Sequence, residues 1–211
     1  MIYKKIKMLF YEHPDRFNRT ILVPKDINLV HLGCIMACAI NATFEHFFLF
    51  HVGKTGYVPE AFQIMAKNWY LMKDYNLEDL GDQFIFEYDT GEGYRFKCKV
   101  YKKEEEIEKG EYAYLLDGKG QGIFEDNIYS LYMYLDEEID PNTSENNEEI
   151  GFYMPWNLPL EKISDFDDYD LEFEKESFAD EAIYSIYAYL EHQHECGYEM
   201  EINDPEIEYE E

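Results

Sequence analysis

The sequence predicts an α+β fold in which a small mixed or antiparallel sheet, built from two hairpins and a third strand, carries helices on one face. Three observations lead there. Two separate stretches alternate apolar and polar residues with the period of a strand, and each is folded back by a tight turn. Between and after them, apolar residues recur at helical spacing. Aromatic residues make up 18% of the chain, with 20 Tyr against 2 Trp, a composition that suits strands and half-buried surfaces better than a helical bundle. A length of 211 residues with 46% hydrophobic content is enough for one substantial domain or two small ones.

The elements follow in chain order. Ile2, Lys4, Ile6, Met8 and Phe10 alternate with Tyr3, Lys5, Lys7 and Leu9, which reads as a strand; "HPDR" turns the chain, and "FNRTILV" returns it as far as Pro24. Asp26 or Asn28 can cap the helix marked by Leu29, Leu32, Ile35, Met36, Ala39 and Ile40, read as amphipathic and packed on the hairpin. "FEHFFLFHV" reads as a third strand ending at Gly53. Phe62, Met65, Trp69 and Met72 suggest a short helix, and "NLEDLGD" one capped turn. "QFIFEYD" and "YRFKCKVYKK" flank "TGEG" as the second hairpin, with Phe96, Cys98 and Val100 facing the core and Arg95, Lys97 and Lys99 forming a basic ladder in solvent.

After "LLDGKGQGIFEDN", Ile128, Leu131, Tyr132 and Leu135 mark a helix, and residues 136–150 form a polar, Asn-rich linker. The segment from Gly151 to Ser177 reads as extended chain laid over the domain. Ser177 with Asp180 resembles a capping box that starts the last helix, defined by Ile183, Ile186, Tyr187 and Leu190. The expected organisation is an α+β core over 1–135, the linker, and an acidic, aromatic-rich segment over 151–211 packed on the core, with a frayed tail at 201–211.

In this order and spacing, "RFNRTILVP" (Arg16 to Pro24), "FEHFFLFHV", "YDTGEGYRFKCKV" (Tyr88 to Val100), "LLDGKGQGIFED" and "FDDYDLE" resemble the family named after the third open reading frame of a plant-tumour plasmid, also described as transposon-resolvase-like. The resemblance runs from about residue 3 to residue 190. It implies an α+β domain carried by plasmids, phages and other mobile elements, with no established catalytic activity. The chain departs from the family where Tyr94 and Phe96 replace its usual tryptophan and histidine, and where Ile123 and Phe124 replace its paired prolines. A chemistry that needs that histidine is not carried over.

Charge divides the chain. Residues 1–124 hold 16 Lys/Arg and 18 Asp/Glu, a balance of −2, whereas residues 125–211 hold 2 and 28, a balance of −26. Such a field repels phosphate backbones, so direct binding of nucleic acid is not expected. No run approaches the roughly 18 apolar residues of a membrane span. The N-terminus lacks a continuous apolar signal segment, and Cys34, Cys38, Cys98 and Cys196 follow no secreted disulfide spacing. A cytoplasmic setting with free thiols and no membrane association is therefore expected.

Four groups are candidates for chemistry. Gly118, Gly120 and Gly122 fit neither a dinucleotide fingerprint nor a P-loop, and Glu125 and Asp126 would repel a phosphate from the next helix; the glycines read as a loop that approaches other backbone closely. His192, His194 and Cys196 read as a helix end, and His31, Cys34 and Cys38 as one face of a core helix, so no metal is assigned to either. Asp89, Glu92, Glu125 and Asp126, with Glu87, are alternative catalytic residues: converging carboxylates can hold Mg²⁺ for chemistry on a nucleotide or phosphoester. No cofactor is expected otherwise.

The leading reading is a non-enzymatic interaction protein. Asp165, Asp167, Asp168, Asp170, Glu172 and Glu174, interleaved with Trp156 and Tyr169, imitate the charge of nucleic acid toward a basic, nucleic-acid-handling partner. Inhibition of a host defence nuclease is one concrete form. The ladder of Arg95, Lys97 and Lys99 is the other feature of note, and holding the chain's own acidic segment is one role open to it.

Overall fold

The computed structural model describes residues 1–61, 67–108 and 110–198. Its centre is one eight-stranded sheet: β1 (Ile2–Phe10), β2 (Asn18–Pro24), β3 (Phe48–Val52), β4 (Thr55–Val58), β5 (Trp69–Leu71), β6 (Gln83–Tyr88), β7 (Tyr94–Glu106) and β8 (Tyr114–Lys119). They lie in the order β5-β4-β3-β6-β7-β1-β2-β8. All neighbours are antiparallel except β4 and β5. Three α-helices accompany the sheet: α1 (Leu29–Ala39), α2 (Ile128–Leu135) and α3 (Leu171–Glu195). The fold is thus mixed α+β, as the alternating and helical periods imply.

Both expected hairpins form, β1 with β2 and β6 with β7. On β7 burial alternates residue by residue, Phe96, Cys98 and Val100 inward and Arg95, Lys97 and Lys99 outward, because successive strand side chains leave opposite faces. Asn28 caps α1 by accepting from the Val30 amide at 2.8 Å, and the expected turn at "NLEDLGD" is a 3-10 turn boxed by Asn76 and Asp79. The C-terminal part shares the core: Phe152, Leu158, Ile163, Phe166, Phe178, Ala182, Ile186 and Tyr189 pack into the same cluster as the sheet and α1.

Several local expectations give way to tertiary context. Helix α1 is not amphipathic; all eleven residues are buried, since it contacts β2 and β3 as well as α3. Gly33 is required there, because a Cβ would stand 1.9 Å from the Phe48 ring. The third strand starts at Phe48 and not at Phe44, whose φ of 65° breaks the extension. Trp69–Leu71 is an edge strand hydrogen-bonded along β4, followed by a 3-10 turn at Met72–Asp74, in place of a short helix. Phe62 and Met65 lie outside the described residues, as does the tail at 201–211.

Two further corrections concern the second half. The stretch read wholly as a glycine loop begins as β8, with Gly118 paired to Arg19 of β2. Helix α3 starts six residues before Ser177: Asp170 is its cap, accepting from the Phe173 amide at 3.1 Å. Its buried positions are Phe178, Ala182, Ser185, Ile186, Tyr189 and Gln193, while Tyr187 faces out.

Candidate functional site

The glycine stretch meets a cation, and it meets it with carbonyls. Arg19 is fully buried; its guanidinium donates to the carbonyls of Asn18, Ala39, Lys119, Gly120 and Gln121, and it lies over the Tyr169 ring at 4.1 Å. Burial pushes its pKa down to about 10, so it is charged at neutral pH. Close approach is what the glycines permit. A Cβ on Gly122 would stand 2.8 Å from the Ile40 carbonyl oxygen, and Gly120 has a φ of 75° with the Arg16 carbonyl 3.0 Å from its would-be Cβ. A loop that points its carbonyls inward at a guanidinium offers no amide nest to a phosphate.

Past the loop, three chain segments meet. The Ile123 amide donates to the Ile40 carbonyl at 3.0 Å, and Asn157 ties both together: its amide donates to the carbonyls of Asn41 and Ile123, and its oxygen accepts from the Glu125 amide. Pairing of β3 with β6 brings the other side in, for the Asp89 amide donates to the Phe47 carbonyl. The result places His46, Asp89 and Asp126 together. His46 Nε2 lies 2.7 Å from Asp126 Oδ1 and 3.7 Å from Asp89 Oδ2. Burial alone would lower the His46 pKa, but the hydrogen bond with Asp126 and the charges of Asp89, Asp126 and Glu125 raise it.

Glu125 sits at the same junction and is 2% exposed. Its Oε1 accepts from the Thr43 amide, the Thr43 hydroxyl and the Tyr88 hydroxyl, and its Oε2 has no hydrogen-bond donor among the described residues. Burial pushes its pKa up against those three bonds and the nearby charge of His46. Asp89 and Asp126 both adopt left-handed backbone, with φ of 51° and 58°, a conformation Asp tolerates better than most residues. Asp89 Oδ1 is spent on the hairpin turn, accepting from the amides of Gly91 and Glu92.

The expected carboxylates therefore divide. Asp89 and Asp126 meet at His46 and Glu125 is held beside them by Thr43 and Tyr88, whereas Glu92 accepts from the Ile128 amide at the start of α2 and Glu87 pairs with Arg95 at 2.8 Å and His51 at 3.3 Å. The sequence did not single out His46, Thr43 or Tyr88. His46 stands two residues before the strand in "FEHFFLFHV", with an acid before it, and nothing local connects it to a residue 80 positions on.

The acidic half is partly consumed by its own fold. Asp167 pairs with Arg16 at 2.8 Å and accepts from the Tyr134 hydroxyl; Asp165 accepts from the amides of Glu161 and Lys162; Asp170 caps α3; Glu172 pairs with Lys175. Glu174 is half-buried, and burial raises its pKa although Arg19 opposes the shift. Asp168 is exposed, and Trp156 is 60% exposed. On the side of α3 away from the core, Phe173, Glu176, Asp180, Tyr184, Tyr187 and Glu191 are all exposed, Phe173 by 67% and Tyr184 by 75%. At 100° per residue these six fall within a stripe about 80° wide.

The basic ladder has local partners: Arg95 holds Glu87, Lys97 sits 3.8 Å over the Tyr11 ring, and Lys99 lies over Tyr101. His192 lies 3.8 Å from the Cys196 sulfur at the end of α3. All four cysteines are free, three of them buried. No helix among the described residues is long and apolar enough to cross a membrane.

The profile of the plasmid pRiA4b ORF-3-like protein family matches residues 5–175, which include every segment of this junction. No curated protein matches the chain. Among solved structures, the chain resembles a protein of unknown function, MM3350, from Methanosarcina mazei Go1. That similarity has a TM-score of 0.56 at 16% identity, and spans 75% of this chain and 98% of that one, a likeness of fold.

Proposed function

The chain belongs to the plasmid pRiA4b ORF-3-like protein family, and from that premise we propose that it is a non-enzymatic interaction protein of a mobile element, which docks a basic, nucleic-acid-handling protein on its acidic C-terminal part. The observation that carries this reading is the outer stripe of α3. Three rings and three carboxylates share one line, Phe173, Glu176, Asp180, Tyr184, Tyr187 and Glu191. Arg and Lys heads are attracted both by carboxylates and by aromatic faces, and exposed aromatic side chains supply the apolar contact that pure charge lacks. A stripe of both is complementary to the Arg/Lys-rich groove of a nucleic-acid-binding protein, and the surrounding negative field steers such a partner in.

A partner bound this way competes with nucleic acid for its groove, and inhibition of a defence nuclease is one form the competition takes. Free cysteines suit a reducing, cytoplasmic setting. Pull-down from host extract at about 50 and 500 mM NaCl tests the proposal. A specific basic protein should be retained at low salt, released at high salt, displaced by DNA, and lost with the F173S/Y184S/Y187S variant. Binding that is absent, or indifferent to salt, sinks the electrostatic reading.

A further inference from the structure

The structure assigns a divalent-cation site to His46 Nε2, Asp89 Oδ2 and Asp126 Oδ1, of the kind that takes a first-row transition ion such as Mn²⁺. It goes beyond the docking surface on α3 and stands on different residues.

The three ligand atoms lie within 4.8 Å of one another, so small side-chain shifts bring all of them to the metal–ligand distances of about 2.0–2.2 Å that one ion requires. Each arrives on a different segment, two residues before β3, one residue after β6 and in the loop before α2, and the pairing of β3 with β6 brings the first two together. They also form a graded wall: Asp89 is buried, His46 is half-buried and Asp126 is exposed, which leaves one side open to solvent. An ion held by three protein groups keeps coordination positions for water or a phosphoryl oxygen on that side.

A cluster of acids explains little alone; Glu125 supplies the independent observation. Glu125 is 2% exposed, and its Oε2 has no donor among the described residues. An ionisable oxygen buried without a partner is costly, and in native folds it calls for a compensating group. Thr43, three residues before His46, and Tyr88, whose ring meets the His46 ring at 6.2 Å, both bind the other oxygen of Glu125, so this carboxylate belongs to the same junction. A cation held by His46, Asp89 and Asp126 brings positive charge to the junction that also buries Glu125.

The donor set selects the class of ion. An imidazole nitrogen among carboxylates is poor for Ca²⁺ and Mg²⁺, which favour oxygen throughout, and the absence of thiolate from the trio disfavours Cu⁺. Mn²⁺ accepts both nitrogen and carboxylate.

Titration calorimetry of the chelator-stripped full chain with MnCl₂ tests this, at constant NaCl because the chain's net charge of −28 attracts any cation diffusely. One saturable site is expected, weakened at least tenfold by His46→Gln and by Asp126→Asn, and unchanged by Glu148→Gln in an exposed loop. Both weakening substitutions are at partly exposed side chains, and Asn tolerates the left-handed backbone of Asp126 as Asp does. Anomalous scattering at the manganese edge should place the ion between the three ligand atoms. Absence of a saturable site, equal binding by the variants, or tighter binding of Mg²⁺ than of Mn²⁺ overturns the assignment.

Discussion

Arg19 shows how far a single residue can be from its sequence neighbourhood's apparent meaning. On β2 it occupies a fully buried position, and its five donors are matched to carbonyls from β2, α1 and the stretch after β8. The planar fork suits that arrangement and an ammonium does not: Lys offers three donors from one point and reaches at most part of the set. Because Asn41 also donates to the Gln121 carbonyl, Arg19→Lys should leave at least one buried carbonyl without a donor and destabilise the protein by about 1–3 kcal/mol in urea unfolding. A loss under about 1 kcal/mol would show that water replaces the missing bonds. The glycine spacing announces that backbone approaches backbone at 118–122. It is silent on the sign of the charge received, because amide and carbonyl orientations follow from the path of the chain and leave no trace in residue type.

At the scale of elements, reading succeeds where the pattern is local and fails where pairing is remote. The hairpins β1/β2 and β6/β7 are legible because turn and partner sit within a few residues of each other. Strands β4, β5 and β8 are short edge or near-edge pieces whose partners were not apparent; Trp69–Leu71 carries spacing that serves a helix equally well. Helix α3 was read from Ser177 because the crowded acids of 165–176 hide its first turns, yet Asp170 makes the capping bond. Asp170→Ala should lower stability by about 1 kcal/mol and Ser177→Ala, mid-helix, by less than about 0.5 kcal/mol, in paired thermal melts. Equal effects would place the start of the helix elsewhere.

Across the whole molecule the charge is sorted by face as well as by sequence. Arg95, Lys97 and Lys99 lie exposed on one face of β7, while α3 and the loops around it carry most of the acids. Of the 21 Asp and Glu between 125 and 198, only Glu125 is fully buried, so repulsion among the rest is borne at the surface, where salt screens it. The melting temperature should rise as NaCl goes from about 20 to about 300 mM, since the Debye length falls from roughly 20 Å to under about 6 Å. A fall instead would mean that pairs such as Arg16 with Asp167 and Lys25 with Glu104 outweigh the repulsion.

The α+β class, the two hairpins, the buried and solvent faces of β7, and the change from a balance of −2 to one of −26 at Glu125 are all written in the sequence, because each is a property of composition or of a period a few residues long. Tertiary structure alone decided that β3 pairs with β6, that Asn157 ties the loop at 122–125 to the end of α1, and hence that His46 meets Asp89 and Asp126. Those contacts join residues 43 and 80 positions apart, and their distances are set by the order of strands in the sheet, which no local pattern encodes.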